Sequence, residues 1–231
     1  MLIKRQLYFA TPVQLNDPYD CRISIRQALS QAIEGVERNG SRSFRQTLER
    51  LRKIDHIYEK METDIGSVGV LSLSKCPTNV VMWTHYADNH RGFCAGFQLS
   101  EKFTTHHNDE QIVGICGVHY SGENPFVEFF EEIATAEKPP SWEEFWQSLL
   151  SMGMVAKAVA WGYEEEVRVL RKEGGPVSFE PSELAEIVFG MNMPASDRAT
   201  LRQLLAGGEW SHVKFKEIVR SKAFAVDIAN V

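Results

Sequence analysis

Strand-like and helix-like stretches follow one another along this chain without strict βαβ alternation, which places it in the α+β class. The expectation is one domain over residues 1–231, with a mixed or mostly antiparallel sheet flanked by helices. At roughly 150 residues per domain, 231 residues are too few for two independent catalytic units. Gln6–Ala10 reads as the first strand and Ser24–Glu37 as the first helix. Phe44, Leu48, Leu51, Ile54, Tyr58, Met61 and Ile65 recur at spacings of three and four and predict one longer helix with a core-facing stripe. Val68–Ser74, Gly92–Leu99, Gln111–Tyr120, Glu164–Arg171 and Leu184–Phe189 are the further expected strands, with one or two more from His212 to Ile228. Val80–Ala87 and Phe126–Ala136 are expected helical. Ser141 and Glu144 form a capping box for a helix to about Ala160, and Ser196-Asp197 caps another through Leu205. The stretch 121–140 is the expected insertion or lid.

Lys and Arg number 25 against 31 Asp and Glu, a net charge of −6, which disfavours a dedicated nucleic-acid binder. No apolar run approaches the ~18 residues of a membrane span, and Met1-Leu2-Ile3-Lys4 is too short for a signal peptide, so a cytoplasmic chain is expected. Cys21, Cys76, Cys94 and Cys116 lack the spacing of a zinc site or a disulfide framework, and Cys94 and Cys116, in apolar runs, read as small core residues.

Three polar stretches stand out. Asn16-Asp17-Pro18-Tyr19-Asp20 is either an Asx turn or a pair of carboxylates for a metal, a ribose hydroxyl or a proton. Met82-Trp83-Thr84-His85-Tyr86-Ala87-Asp88-Asn89-His90-Arg91-Gly92-Phe93 offers rings for stacking and imidazoles for hydrogen bonding, with Trp83 equally readable as core. In Trp161-Gly162-Tyr163-Glu164-Glu165-Glu166-Val167-Arg168, a strand would set Glu164, Glu166 and Arg168 on one face, either solvated or lining a cleft.

Together with Leu7-Tyr8-Phe9 and Ser72-Leu73-Ser74, these motifs resemble a bacterial family of domains of unknown function, number 2971, over Leu7 to about Gly190. The resemblance nominates the same positions without supplying a reaction, and it implies a setting in defence or toxin systems with a neighbouring immunity or defence protein as partner. Members carry another strand and helix ahead of the Leu-Tyr-Phe strand. If that segment completes the site, this chain is a shortened version.

Two mechanisms and one bland alternative follow. An ADP-ribosyltransferase-like or NAD-glycohydrolase-like enzyme uses Glu166 or Glu164 to stabilise an oxocarbenium ion, Trp83 or Tyr86 to stack nicotinamide, and Arg168 or Arg91 to meet the pyrophosphate. Its order of elements, with Ser74 in a middle Ser-x-Ser strand, is analogous only at fold level. A Mg²⁺-dependent phosphodiesterase or nuclease instead uses Asp17, Asp20, Glu164 and Glu166 as ligands and His85 as base, although no lysine takes the place of Arg168 in the Glu-x-Glu-x-Arg run. Otherwise the motifs form a structural polar core or a ligand-sensing pocket. The candidate catalytic residues are therefore Glu166, Glu164 and His85. Asn16, Asp17, Asp20, Ser74, Trp83, Tyr86 and Arg168 are the candidates for binding a small-molecule or nucleotide ligand. NAD or Mg²⁺ is left open as the cofactor, and no metal ligand is assigned outright.

Overall fold

Two apolar faces of different period have to be covered in this chain, and each builds its own core. In the computed structural model, which describes residues 1–22, 24–39, 42–101, 111–136, 140–222 and 225–231, the helical face is carried by α1 (Ile25–Asn39), α2 (Arg42–Arg52), α3 (Asp55–Ser67), α5 (Pro125–Thr135) and α6 (Trp142–Val155). Ile25, Leu29, Leu48, Tyr58, Phe126, Phe130 and Leu149 pack together there, all buried. The stretch expected as an insertion or lid thus supplies two of this core's ring side chains. The strand face buries Phe9, Leu71, Ile112, Val169, Phe179, Leu184 and Phe189 in a second cluster.

The strands are β1 (Gln6–Phe9), β2 (Gly69–Ser74), β3 (Phe93–Phe97), β4 (Ile112–Gly117), β5 (His119–Ser121), β6 (Ala156–Ala158), β7 (Glu166–Arg171), β8 (Gly175–Ser178), β9 (Leu184–Phe189), β10 (Lys214–Arg220) and β11 (Val226–Asn230). They form small sheets in the orders β1-β8, β11-β10-β9-β3, β2-β7-β4 and β5-β6, of which the four-stranded one is mixed. Antiparallel pairs predominate, with β9-β10 and β5-β6 parallel, as an α+β fold with hairpin-like connections requires. Two further helices are α4 (Val80–Tyr86) and α7 (Ala195–Leu204).

Five expectations need correction. The stripe from Phe44 to Ile65 spans two helices, because Lys53 and Ile54 form a turn in which the Ile54 amide donates back to Leu51. Tyr58 then donates its hydroxyl to the same Leu51 carbonyl, so both helices still bury one continuous side (the side chain of Phe44 lies outside the described residues). Gln111–Tyr120 divides into β4 and β5, with Val118 between them donating to Glu166 O. The helix capped by Ser141 and Glu144 ends at Val155 rather than Ala160, because Ala156–Ala158 turn extended and pair with β5, setting Tyr120 opposite Lys157. Finally, the expected strand Glu164–Arg171 begins at Glu166. Glu164 closes a 3-10 segment from Val159, and Glu165 sits in the left-handed region at φ 46°. The distal helix likewise starts at Ala195, with Pro194 rather than Ser196 at its cap position.

A third small cluster lies where the two cores meet. Ile65 and Met154 come from the helices, Val70 and Leu170 from β2 and β7, and Cys21 from the loop after β1. Nearby, α4 ends in an unusual turn: Asp88, Asn89 and His90 have φ of 46°, 55° and 65°. Successive left-handed residues are sterically unfavourable, but here they turn the amides of Asn89 and His90 back onto the carbonyls of Thr84 and Trp83 and so satisfy the end of α4. The turn presses on Gly190, where a Cβ would stand 2.1 Å from the His90 carbonyl oxygen.

Candidate functional site

β2 and β7 pair antiparallel with Ser72 opposite Arg168 and Ser74 opposite Glu166, which brings a polar patch to the edge of an otherwise apolar sheet. Arg168 is completely buried. Such a guanidinium needs charged and neutral acceptors around its fork, and it has them. Its Nε donates to Glu166 Oε1 at 2.8 Å and its Nη2 to Asp20 Oδ2 at 2.7 Å. Its Nη1 donates to the Met154 carbonyl at 2.7 Å and to Cys21 Sγ at 3.1 Å. The strand, the loop after β1 and the end of α6 are thereby fastened at one side chain.

A second buried cation, Lys157 on β6, lies beside the first. Its Nζ is 2.5 Å from Glu164 Oε2, 2.9 Å from Glu166 Oε2 and 3.5 Å from Asp20 Oδ2. Burial alone would lower its pKa, but the hydrogen bond to Glu164 and the neighbouring Glu166 and Asp20 outweigh it, and the ammonium is held charged. Burial would raise Glu166, yet the Arg168 hydrogen bond and charge, aided by Ser72 and Lys157, bring its carboxyl down to about 2. The Cys21 thiol is pushed up to about 12 by burial, which makes it inert.

Glu164 faces outward from this pair. The Tyr86 hydroxyl donates to its Oε1 at 2.5 Å, and Asn16 Nδ2 donates in turn to the Tyr86 oxygen at 2.9 Å. Burial and the bond to Glu164 raise the Tyr86 phenol. Asn79 aims this helix: its side chain accepts from the amides of Val81 and Met82 and donates to the Tyr163 carbonyl. The Ser74 hydroxyl donates to the Glu164 carbonyl at 2.7 Å.

Asn16, Asp20, Ser74, Tyr86, Glu164 and Glu166 all border one cavity of about 490 Å³, so all three polar stretches contribute to it. A neighbouring cavity of about 390 Å³ shares Asp20 and Lys157 as wall residues. The remaining candidates are placed differently. Arg168 stands behind the wall and does not line the 490 Å³ cavity. Asp17 borders the neighbouring cavity and accepts from the Tyr19 amide, closing an Asx turn. Trp83 is buried in a separate cluster with Val188 and Ile218, donates to the Pro77 carbonyl and stacks on His90. His85 is exposed and meets the Tyr163 hydroxyl at 3.1 Å, outside the cavity lining. The stacking role expected for Trp83 and the basic role expected for His85 therefore lack the necessary position.

Lys157 is a participant that the sequence reading missed, and Ser72, quoted there in the Ser72-Leu73-Ser74 motif, was not nominated for the site. Lys157 had a signal: it is a lone cation inside the apolar run Met154–Trp161. For a Mg²⁺ centre, the oxygens of Asp20, Glu164 and Glu166 already serve the ammonium and guanidinium. Among the described residues no group of three or more His, Cys, Asp or Glu side chains is arranged to hold a metal ion. The four cysteines are free thiols, and no described helix is long and apolar enough to cross a membrane.

The family model described as Protein of unknown function (DUF2971) matches residues 82–169. That span is narrower than the expected Leu7–Gly190 and includes Tyr86, Lys157, Glu164, Glu166 and Arg168, while Asn16, Asp20 and Ser74 fall outside it. No curated protein and no solved structure matches the chain.

Proposed function

We propose that this protein, whose residues 82–169 carry the DUF2971 match, binds a small nucleotide-type ligand in the 490 Å³ cavity and acts as an NAD-consuming or ADP-ribosyl-transferring enzyme. Glu164 carries the reading. It is a buried carboxylate on a cavity wall, held by the Tyr86 hydroxyl on one oxygen and the Lys157 ammonium on the other. A carboxylate fixed in this way need not reorganise when positive charge develops beside it, and that is the demand of breaking a nicotinamide–ribose bond. The bonding electrons leave with neutral nicotinamide, and the ribosyl carbon, with oxocarbenium character, is captured by water or an acceptor hydroxyl. The cavity size falls in the ordinary range for small-molecule sites. On this reading Glu166, Arg168 and Asp20 hold the wall, and Glu164 meets the ligand.

Nicotinamide release from NAD, followed by chromatography, tests the proposal. Glu164→Gln, shown to be folded by circular dichroism at the assay temperature, is expected to lower the rate by about 10²-fold or more. Absence of release by the unaltered protein, or full activity in Glu164→Gln, defeats the reading. In the setting that the family resemblance implies, the partner is an immunity or defence protein, recognisable because its co-expression suppresses toxicity.

One observation favours a second reading. The Asp20–Arg168–Glu166–Lys157 set is mutually bonded, as a purely structural polar core would be. The protein would then sense a ligand without transforming it. Ligand binding with no turnover would support this alternative.

A further inference from the structure

Among the described residues, the 490 Å³ cavity is lined by three carboxylates, Asp20, Glu164 and Glu166, but by a single cation, Lys157. An ammonium has three N–H donors, and Lys157 stands within 3.5 Å of all three carboxylates. Two of its donors are hydrogen-bonded to Glu164 and Glu166 and Asp20 stands beside it as an ion-pair partner, so its charge is already more than balanced by the wall. The second buried cation, Arg168, is turned away behind the wall with its fork occupied by Glu166, Asp20 and the Met154 carbonyl. An anionic group entering the cavity would therefore lose its water against excess negative charge, with no described lining cation that is not already paired with carboxylates. The rest of the lining suits a flat, partly polar ring: Leu15, Val70, Leu73 and Met82 supply apolar surface, while Gln14 and Ser72 supply polar groups.

We infer that the cavity selects a cationic, carboxamide-bearing ring such as the pyridinium end of an N-riboside, and that phosphate groups stay outside it. This deepens the proposed function and rests on it only in taking the cavity as a ligand site. Cleavage additionally converts the pyridinium cation to neutral nicotinamide, so the same charge pattern favours substrate over product in the cavity.

NMR titration of the intact protein with 1-methylnicotinamide and with nicotinamide tests the inference, because the two share ring and carboxamide and differ in the N-methyl group and its charge. The cation is expected to bind about tenfold tighter or better. Nicotinamide riboside is likewise expected to bind more tightly than its 5′-phosphate. Equal binding within the first pair, preference for the phosphate in the second, or no binding of any of them at ~10 mM overturns the inference. Because 1-methylnicotinamide has no glycosidic bond, its preferential binding upholds the charge selection even where NAD is not cleaved. Nicotinamide release without charge preference overturns the selection and leaves the glycosidic reading intact.

Discussion

Arg168 is fully buried, and a buried guanidinium is tolerable only with its acceptors in place. Arg168→Met removes the charge but keeps most of the volume, and it leaves Asp20 and Glu166 buried beside a single cation. The expected cost is about 3–5 kcal/mol, a fall in Tm of roughly 6–20 °C for a chain of this size, readable by calorimetry. Tyr86→Phe deletes one hydroxyl at the half-exposed cavity edge and should cost only about 1 kcal/mol, while freeing the Glu164 oxygen it serves. At this scale the sequence was partly legible. Glu164, Glu166 and Arg168 announce themselves by crowding three ionisable groups into five residues. Lys157 was concealed by its context, since within a helix continued to Ala160 it would be one solvated position among apolar neighbours. His85 and Trp83 are chemically capable residues that their positions keep from the cavity: helix α4 directs Tyr86 toward Glu164, leaves His85 in solvent and buries Trp83, in line with its reading as core.

Elements matter here mainly through where they stop. The Ser141–Glu144 capping box forms as its spacing foretells, because that signal is local and needs no tertiary partner. Ser141→Ala should therefore cost about 1 kcal/mol, measured by chemical denaturation. The far end of the same helix was illegible, since its termination at Val155 depends on β5, more than thirty positions earlier, offering a backbone ladder to Ala156–Ala158. That early stop sets Lys157 in the site. Asn79 shows how a cap can do distant work. Asn79→Ala removes both the cap of α4 and its tie to the Tyr163 carbonyl, so a stability loss of about 1–2 kcal/mol should be accompanied by weaker ligand binding. Normal ligand affinity in a destabilised variant would show that the helix is aimed by other contacts.

For the whole molecule, acid sensitivity follows from the network that joins the helical and strand cores. Glu166 is drawn from its ordinary 4.5 down to about 2 by Arg168 against the opposing effect of burial. A depressed carboxyl contributes stability above the unfolded-state value and loses it as pH falls through the folded value, so its contribution, on the order of 3 kcal/mol, should fade between about pH 4.5 and 2. Tm measured across that range should fall more steeply for the unaltered protein than for Glu166→Gln, whose side chain does not titrate. The class of fold was legible at this scale because strand and helix periods are written locally, whereas the division into small sheets was not, since it depends on pairings such as β2 with β7 across nearly a hundred residues. The left-handed turn at Asp88–His90, pressed against Gly190, has a consequence for how freely this polypeptide can vary. In a saturation library screened only for soluble expression, positions 88–90 should retain Gly, Asn and Asp and shed Val, Ile and Thr, and position 190 should return little besides Gly.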